Sequence, residues 1–212
     1  DWFADEGRTI RFDFENTQIT DDITVYAKYK TSFATDDWNT IKNSLVLDSN
    51  FYAVGSEKEV ELDIDNDGTS ESYTVRLANA STPEICNTND YSQTACGFVI
   101  EFVDLPSSTK MNYRDSTLFG WSSMDLMRWL NEDFYEKLPA DLRDVIIPTY
   151  PIVSSAPDGR KSVIKHGSYD INKIYIPSSR EVGLELGSDD SANDINVDTR
   201  TYDYYVTHAS DA

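Results

Sequence analysis

The chain has 212 residues, enough for one good-sized domain with a small appendage, and its 39% hydrophobic and 12% aromatic content can support a packed core. The 38 acidic and 18 basic residues leave a net charge of −20, which repels phosphate backbones and anionic lipid surfaces and argues against nucleic acid as a partner. No stretch approaches the roughly 20 apolar residues that span a bilayer, and the first residues form no signal peptide, so an exported protein of this sequence is expected to begin upstream.

Residues 8–30 read as strands. Ile10, Phe12 and Phe14 share one face at period two, and Ile23, Val25 and Ala27 share another. Such segments need further partners, which are expected upstream. Residues 35–46 read as a helix capped by Thr35. Asp36 and Asp37 suit the positive end of its dipole, and Trp38, Ile41 and Leu45 fall on one face. A strand is expected at Phe51-Tyr52-Ala53-Val54. Then Val60, Leu62 and Ile64 alternate with acids, and Tyr73, Val75 and Leu77 alternate with Thr74 and Arg76. Asn66-Asp67-Gly68 between these runs makes them a hairpin.

The hairpin tip, Asp63-Ile64-Asp65-Asn66-Asp67-Gly68-Thr69-Ser70-Glu71, is the sharpest local motif. Oxygen donors at alternate positions, a Gly for the turn and a later acid are what a calcium loop needs. Thr74 stands where a full EF-hand places its bidentate Glu, so the candidate ligands are Asp63, Asp65, Asp67 and Glu71. A solvated Asp-Gly turn is the alternative reading. Cys86 and Cys96 bracket a polar loop, which suits a local disulfide. Closing a loop this short contributes roughly 3 kcal/mol on the chain-entropy model. Two reduced thiols would suit a cytosolic protein instead, and the spacing fits no zinc pattern.

Phe98 to Val103 is apolar enough for a central strand. Gly120-Trp121-Ser122-Ser123-Met124-Asp125 opens a helix with Ser122 and Asp125 in capping-box positions and Leu126, Trp129 and Leu130 as its buried stripe. Asn131 to Leu138 continues as a second short helix ended by Pro139, and Asp141 to Ile146 adds a turn. Tyr150 to Gly159 is a connection, and Lys173 to Ile176 a strand. A second capping box, Ser178 with Glu181, precedes Val182, Leu184 and Leu186. From Gly187 the chain reads as an exposed loop, ending in Tyr202, Tyr204 and Tyr205.

Two sets of motifs carry a resemblance. Trp2-Phe3, Phe12, Phe14 and the run Asp22-Ile23-Thr24-Val25-Tyr26-Ala27-Lys28-Tyr29 resemble the second half of an internalin B-type repeat, a β-grasp module of bacterial surface proteins. Cys96 to Asp104, Gly120 to Asn131 and Lys173 to Gly183 resemble, in that order, a domain of unknown function that follows such repeats in surface proteins of Gram-positive gut bacteria and has relatives among phage structural proteins. The resemblance implies residues 1–31 as a half-repeat and 32–212 as an α+β surface domain, a twisted, mostly antiparallel sheet with short helices, distantly like the C-type lectin-like fold. The family's closing Trp-Trp-Leu-Arg-Ser strand and Gly-Val-Arg-Pro segment do not follow Tyr205; if they are absent, the sheet lacks strands that complete it.

The function expected on these grounds is non-enzymatic: an extracellular or cell-surface module for adhesion or recognition of a protein or glycan, without membrane insertion. A structural spacer or phage-type structural protein is the alternative. An enzyme related to the formylglycine-generating enzymes would need Cys86 and Cys96 free to hold copper. His166 and His208 stand in polar surroundings, neither cysteine has the cationic neighbour of an activated thiolate, and no carboxylate pair stands out among 38 acids. Trp38 and Trp129 read as core; Trp121 fits either core or a sugar-stacking surface.

Overall fold

Helix α1 (Trp38–Leu47) begins where Asp37 caps it: the carboxylate accepts from the Thr40 N–H at 2.9 Å. The cap is Asp37 rather than Thr35, because the helix begins at Trp38 and Thr35 lies in the preceding turn with its hydroxyl on Ser32. The expected face holds, with Trp38, Ile41 and Leu45 buried. These positions recur at three and four residues and so lie on one side of an α-helix.

The computed structural model describes residues 2–7, 9–27, 31–88, 91–113, 124–149, 153–154, 163–164, 172–184 and 199–208. Trp121, Ser122, His166 and Leu186 lie outside them. The architecture is α+β, with small antiparallel sheets and short helices. Strands β1 (Trp2–Phe3) and β2 (Tyr26–Ala27) pair at the start of the chain. The main sheet has the order β3 (Glu57–Leu62), β4 (Glu71–Asn79), β5 (Val99–Phe102), all antiparallel. Further on, α2 (Asp125–Trp129) runs on through helical turns to Lys137, α3 spans Ala140–Arg143, and β6 (Val153–Ser154) pairs with β7 (Val163–Ile164). Among the described residues no helix is long and apolar enough to cross a membrane.

The expected hairpin forms, with Val60 opposite Tyr73. Val60, Leu62, Val75 and Leu77 point to one face. There they meet Trp38, Ile41 and Leu45 of α1 and Phe134, Leu138, Leu142 and Val145 from the later helical segments, forming the main core. Asn66 and Gly68 hold φ of 63° and 89°, the left-handed region that Asn and Gly enter at least cost.

Several expectations change. Residues 51–54 form bends and a turn instead of a strand. Tyr52 is drawn into the core, and its hydroxyl donates to Asp36 at 2.5 Å. Phe98–Val103 yields β5, but β4 is the middle strand of the sheet. On α2 the buried residue is Met127, with Trp129 and Leu130 only partly covered. The backbone passes through a wider π-type turn at Leu130–Phe134, which rotates the apolar stripe. Residues 173–176 form no strand. The Asn131 side chain takes a strand's place there, accepting from the Lys173 and Ile174 N–H groups and donating to the Ile174 carbonyl. Both bonds of the Ser178–Glu181 capping box form, but they close one turn that ends at Gly183, φ 76°.

The expected strands near the N-terminus are shorter than the pattern suggests, and their partners are not all upstream. Phe3 bridges to Arg11, while the Phe12 N–H donates to the Trp2 carbonyl. Trp2, Ile10, Phe14, Ile19 and Ile23 remain exposed, and among the described residues neither apolar core contains one before Phe33. Ile41 is fully buried, and Ile41→Ala is expected to cost about 2–5 kcal/mol in denaturant unfolding. Limited proteolysis is expected to cut before residue 35 and leave the remainder folded; resistance of the intact chain under conditions that cut unfolded controls would contradict this.

Candidate functional site

Two constellations stand out, one at the tip of the β3–β4 hairpin and one where residues 199–208 dock on β4. At the tip, carboxylate oxygens of Asp63, Asp65 and Asp67 all lie within 4.8 Å of one another. The loop's own N–H groups hold them. Gly68 donates to Asp63 at 3.1 Å, Asp67 to Asp65 at 3.2 Å and Thr69 to Asp67 at 2.7 Å. Asp63 Oδ1 is buried and has no hydrogen-bond partner. Calcium–oxygen bonds of about 2.3–2.6 Å put two ligands of one ion at most about 5 Å apart, so these spacings fit. All-oxygen donors suit a hard cation and not zinc or copper. Glu71, opposite Leu62 at the start of β4, stands outside the group of three. Lys137 donates to Asn66 Oδ1 and ties the loop to the helical layer.

The second constellation starts from a β-bulge. Leu77 pairs with Ile100 but Asn79 pairs with Val99, so Ala78 is the inserted residue. Its carbonyl accepts from the Tyr204 N–H at 2.9 Å. Asn79, fully buried, donates to the carbonyls of Ser81, Ala95 and Gly97 and accepts from the Asp203 N–H and Arg200. Asp203 accepts from the Ala80 and Ser81 N–H groups, the Ser81 hydroxyl and Arg200. On the same side of the sheet Arg76 donates to Glu101 at 2.6 Å, and its guanidinium lies 3.7 Å from the Tyr204 ring centre. Tyr202 and Tyr205 are buried with Ala78 and Ala95 in a second, smaller core. The terminal tyrosines are therefore packing residues.

Cys86 and Cys96 are joined, with Cα atoms 5.9 Å apart, so in this form neither is a free copper ligand. The loop they close is anchored at Thr94. Its hydroxyl donates to Glu181, and its carbonyl accepts from the Tyr175 hydroxyl at 2.8 Å. Glu181 is 3% exposed and also accepts from Thr199 and the Ser178 N–H. Burial pushes the Tyr175 hydroxyl up, and that of Tyr202 well above its ordinary value. His208 stacks on Tyr204 at 4.3 Å, near the surface.

Comparison with known families bears on this second region. The model of DUF6273, a domain of unknown function, matches residues 99–208, just over half of the chain. The chain belongs to this family. No curated protein and no solved structure matches it. The DUF6273 segment contributes Glu101, Glu181, Arg200 and Asp203 to the docking site. Arg76, Asn79 and Thr94 come from the preceding stretch, so the two are built as one unit.

Sequence reasoning missed Asn79, Asp203, Arg200, Asn131 and the Arg76–Glu101 pair. Asn79 did carry a signal, a polar residue continuing the alternation of Tyr73, Val75 and Leu77. Asp203, between Tyr202 and Tyr204, carried none. Burial pushes the Asp203 carboxyl up, but the backbone and side-chain hydrogen bonds it accepts prevail and hold it below its ordinary value. A depressed carboxyl contributes stability above its unfolded pKa, and that stability is lost as pH falls through the folded value. Asp203→Asn is expected to lower stability at pH 7 and to flatten the stability–pH curve below about pH 5, as read by urea unfolding at stepped pH.

Proposed function

We propose that this DUF6273 protein is a non-enzymatic extracellular module for adhesion or ligand recognition, and that calcium at Asp63, Asp65 and Asp67 stiffens its hairpin tip. The observation that carries the reading is the convergence of three carboxylates on one turn. Three like charges this close repel one another, and a divalent cation relieves them. The Cys86–Cys96 disulfide supports the compartment, since disulfides persist in oxidising surroundings. Extracellular calcium modules work with dissociation constants of about 10⁻⁴–10⁻³ M, which suits a loop supplying few protein ligands.

Calcium here is structural. The Asp63 carboxylate, placed by the end of β3, is its best-buried ligand, Asp65 and Asp67 close over it, and Glu71 is a candidate through an intervening water. At about one hundred times its dissociation constant, calcium should stabilise the fold by about 2.7 kcal/mol. Thermal melts in calcium and in chelator should differ by about 5–10 °C, and Asp65→Ala with Asp67→Ala should abolish the difference. Equal melting temperatures would reject the calcium site. Screening against glycan and surface-protein arrays, with and without calcium, tests recognition; silence on both favours a spacer.

A further inference from the structure

We propose that the Cys86–Cys96 disulfide is a redox latch that holds residues 199–208 on the sheet. The two cysteines close a loop, and part of the dock rests on that loop. Thr94 gives its hydroxyl to Glu181, whose carboxylate also accepts from Thr199, at the start of the docked segment. Ala95 and the adjoining Gly97 give their carbonyls to Asn79. Asn79 Oδ1 in turn accepts from Arg200 and the Asp203 N–H. Ala95 is itself fully buried in one apolar cluster with Tyr202 and Tyr205. The Thr94, Ala95 and Gly97 contacts need residues 94–97 held in place, and the disulfide is the covalent restraint on that loop.

Among the described residues, the main core contains none of the 86–96 loop and none of 199–208. Opening the latch therefore leaves α1 and the β3–β4 hairpin packed and frees only the smaller core, a sub-global opening. The reductant is a dithiol. Its thiolate attacks the half-buried Cys96 sulfur, Cys86 leaves as a thiolate and takes up a proton, and the second thiol of the reductant closes on the mixed disulfide to release Cys96. The products are two protein thiols and the reductant's cyclic disulfide. Released, the segment uncovers Ala78, Ala95 and Val99.

Hydrogen-exchange mass spectrometry on the full chain, oxidised and after dithiothreitol, tests this. Once both thiols titrate, amides of 199–208 should exchange about tenfold faster or more, while those of α1 keep their protection. Unchanged exchange in 199–208 would overturn the latch, as would loss of α1 protection in step with the segment. In the oxidised protein, Asp203→Asn should by itself raise exchange of the segment. If both changes act through one dock they are not additive, so reducing this variant should add less than about tenfold. A full further increase would mean the disulfide and the dock are independent, and would also overturn the proposal.

Discussion

A β-bulge in a covered strand frees a carbonyl and an N–H that the ladder no longer pairs, and each buried group left unmet costs about 1–3 kcal/mol. In this protein the bulge falls at Ala78, in the middle strand of a three-stranded sheet. The Ala78 carbonyl is met by the Tyr204 N–H, and the neighbouring Asn79 side chain meets the carbonyls around it. The group that meets the bulge carbonyl comes from residues 199–208, and Asn79 beside it meets carbonyls of the disulfide loop, so segments far apart in sequence converge there. The rest of the architecture follows from this requirement. One face of the sheet is closed by helices, and the bulged end of the other face by a short segment without regular secondary structure.

The charge balance gives the docking its character. With 38 acids and 18 bases, a cation placed inside the structure finds a carboxylate readily. Arg76 lies against Glu101, its direct cross-strand partner, and Arg200 against Asp203. Removing one member of such a pair costs more than the pair contributes, because a charge is left uncompensated. Glu181 is held differently, by two hydroxyls and an N–H. The acids of the hairpin tip are held close to one another by their loop's own N–H groups.

Much of the main core was legible in the sequence. Trp38, Ile41 and Leu45 recur at helical spacing, Val60 with Leu62 and Val75 with Leu77 alternate, and Asn66-Asp67-Gly68 marks the turn between strands. These are local patterns, set by the periods of helix and strand and by which residues tolerate a left-handed backbone. The Asp63, Asp65 and Asp67 cluster and the Cys86–Cys96 pairing were legible for the same reason, since each lies within a short loop that geometry closes.

What depends on distant residues was not legible. Phe51–Val54 has the composition of a strand, yet Tyr52 is better satisfied in the core with its hydroxyl on Asp36, and the segment bends. Ser178 and Glu181 formed the capping box their spacing promised, but Gly183 limits it to one turn, and Glu181 serves the tertiary structure through Thr94 and Thr199. The role of Asn79 could be suspected from its place in an apolar alternation, whereas its partners could not. Sequence by itself determined the elements whose hydrogen bonds close over a few residues. Tertiary structure alone decided where Arg76, Asn79, Glu181 and Asp203 would find their partners, because a buried polar group is satisfied by whatever the fold brings within about 3 Å of it.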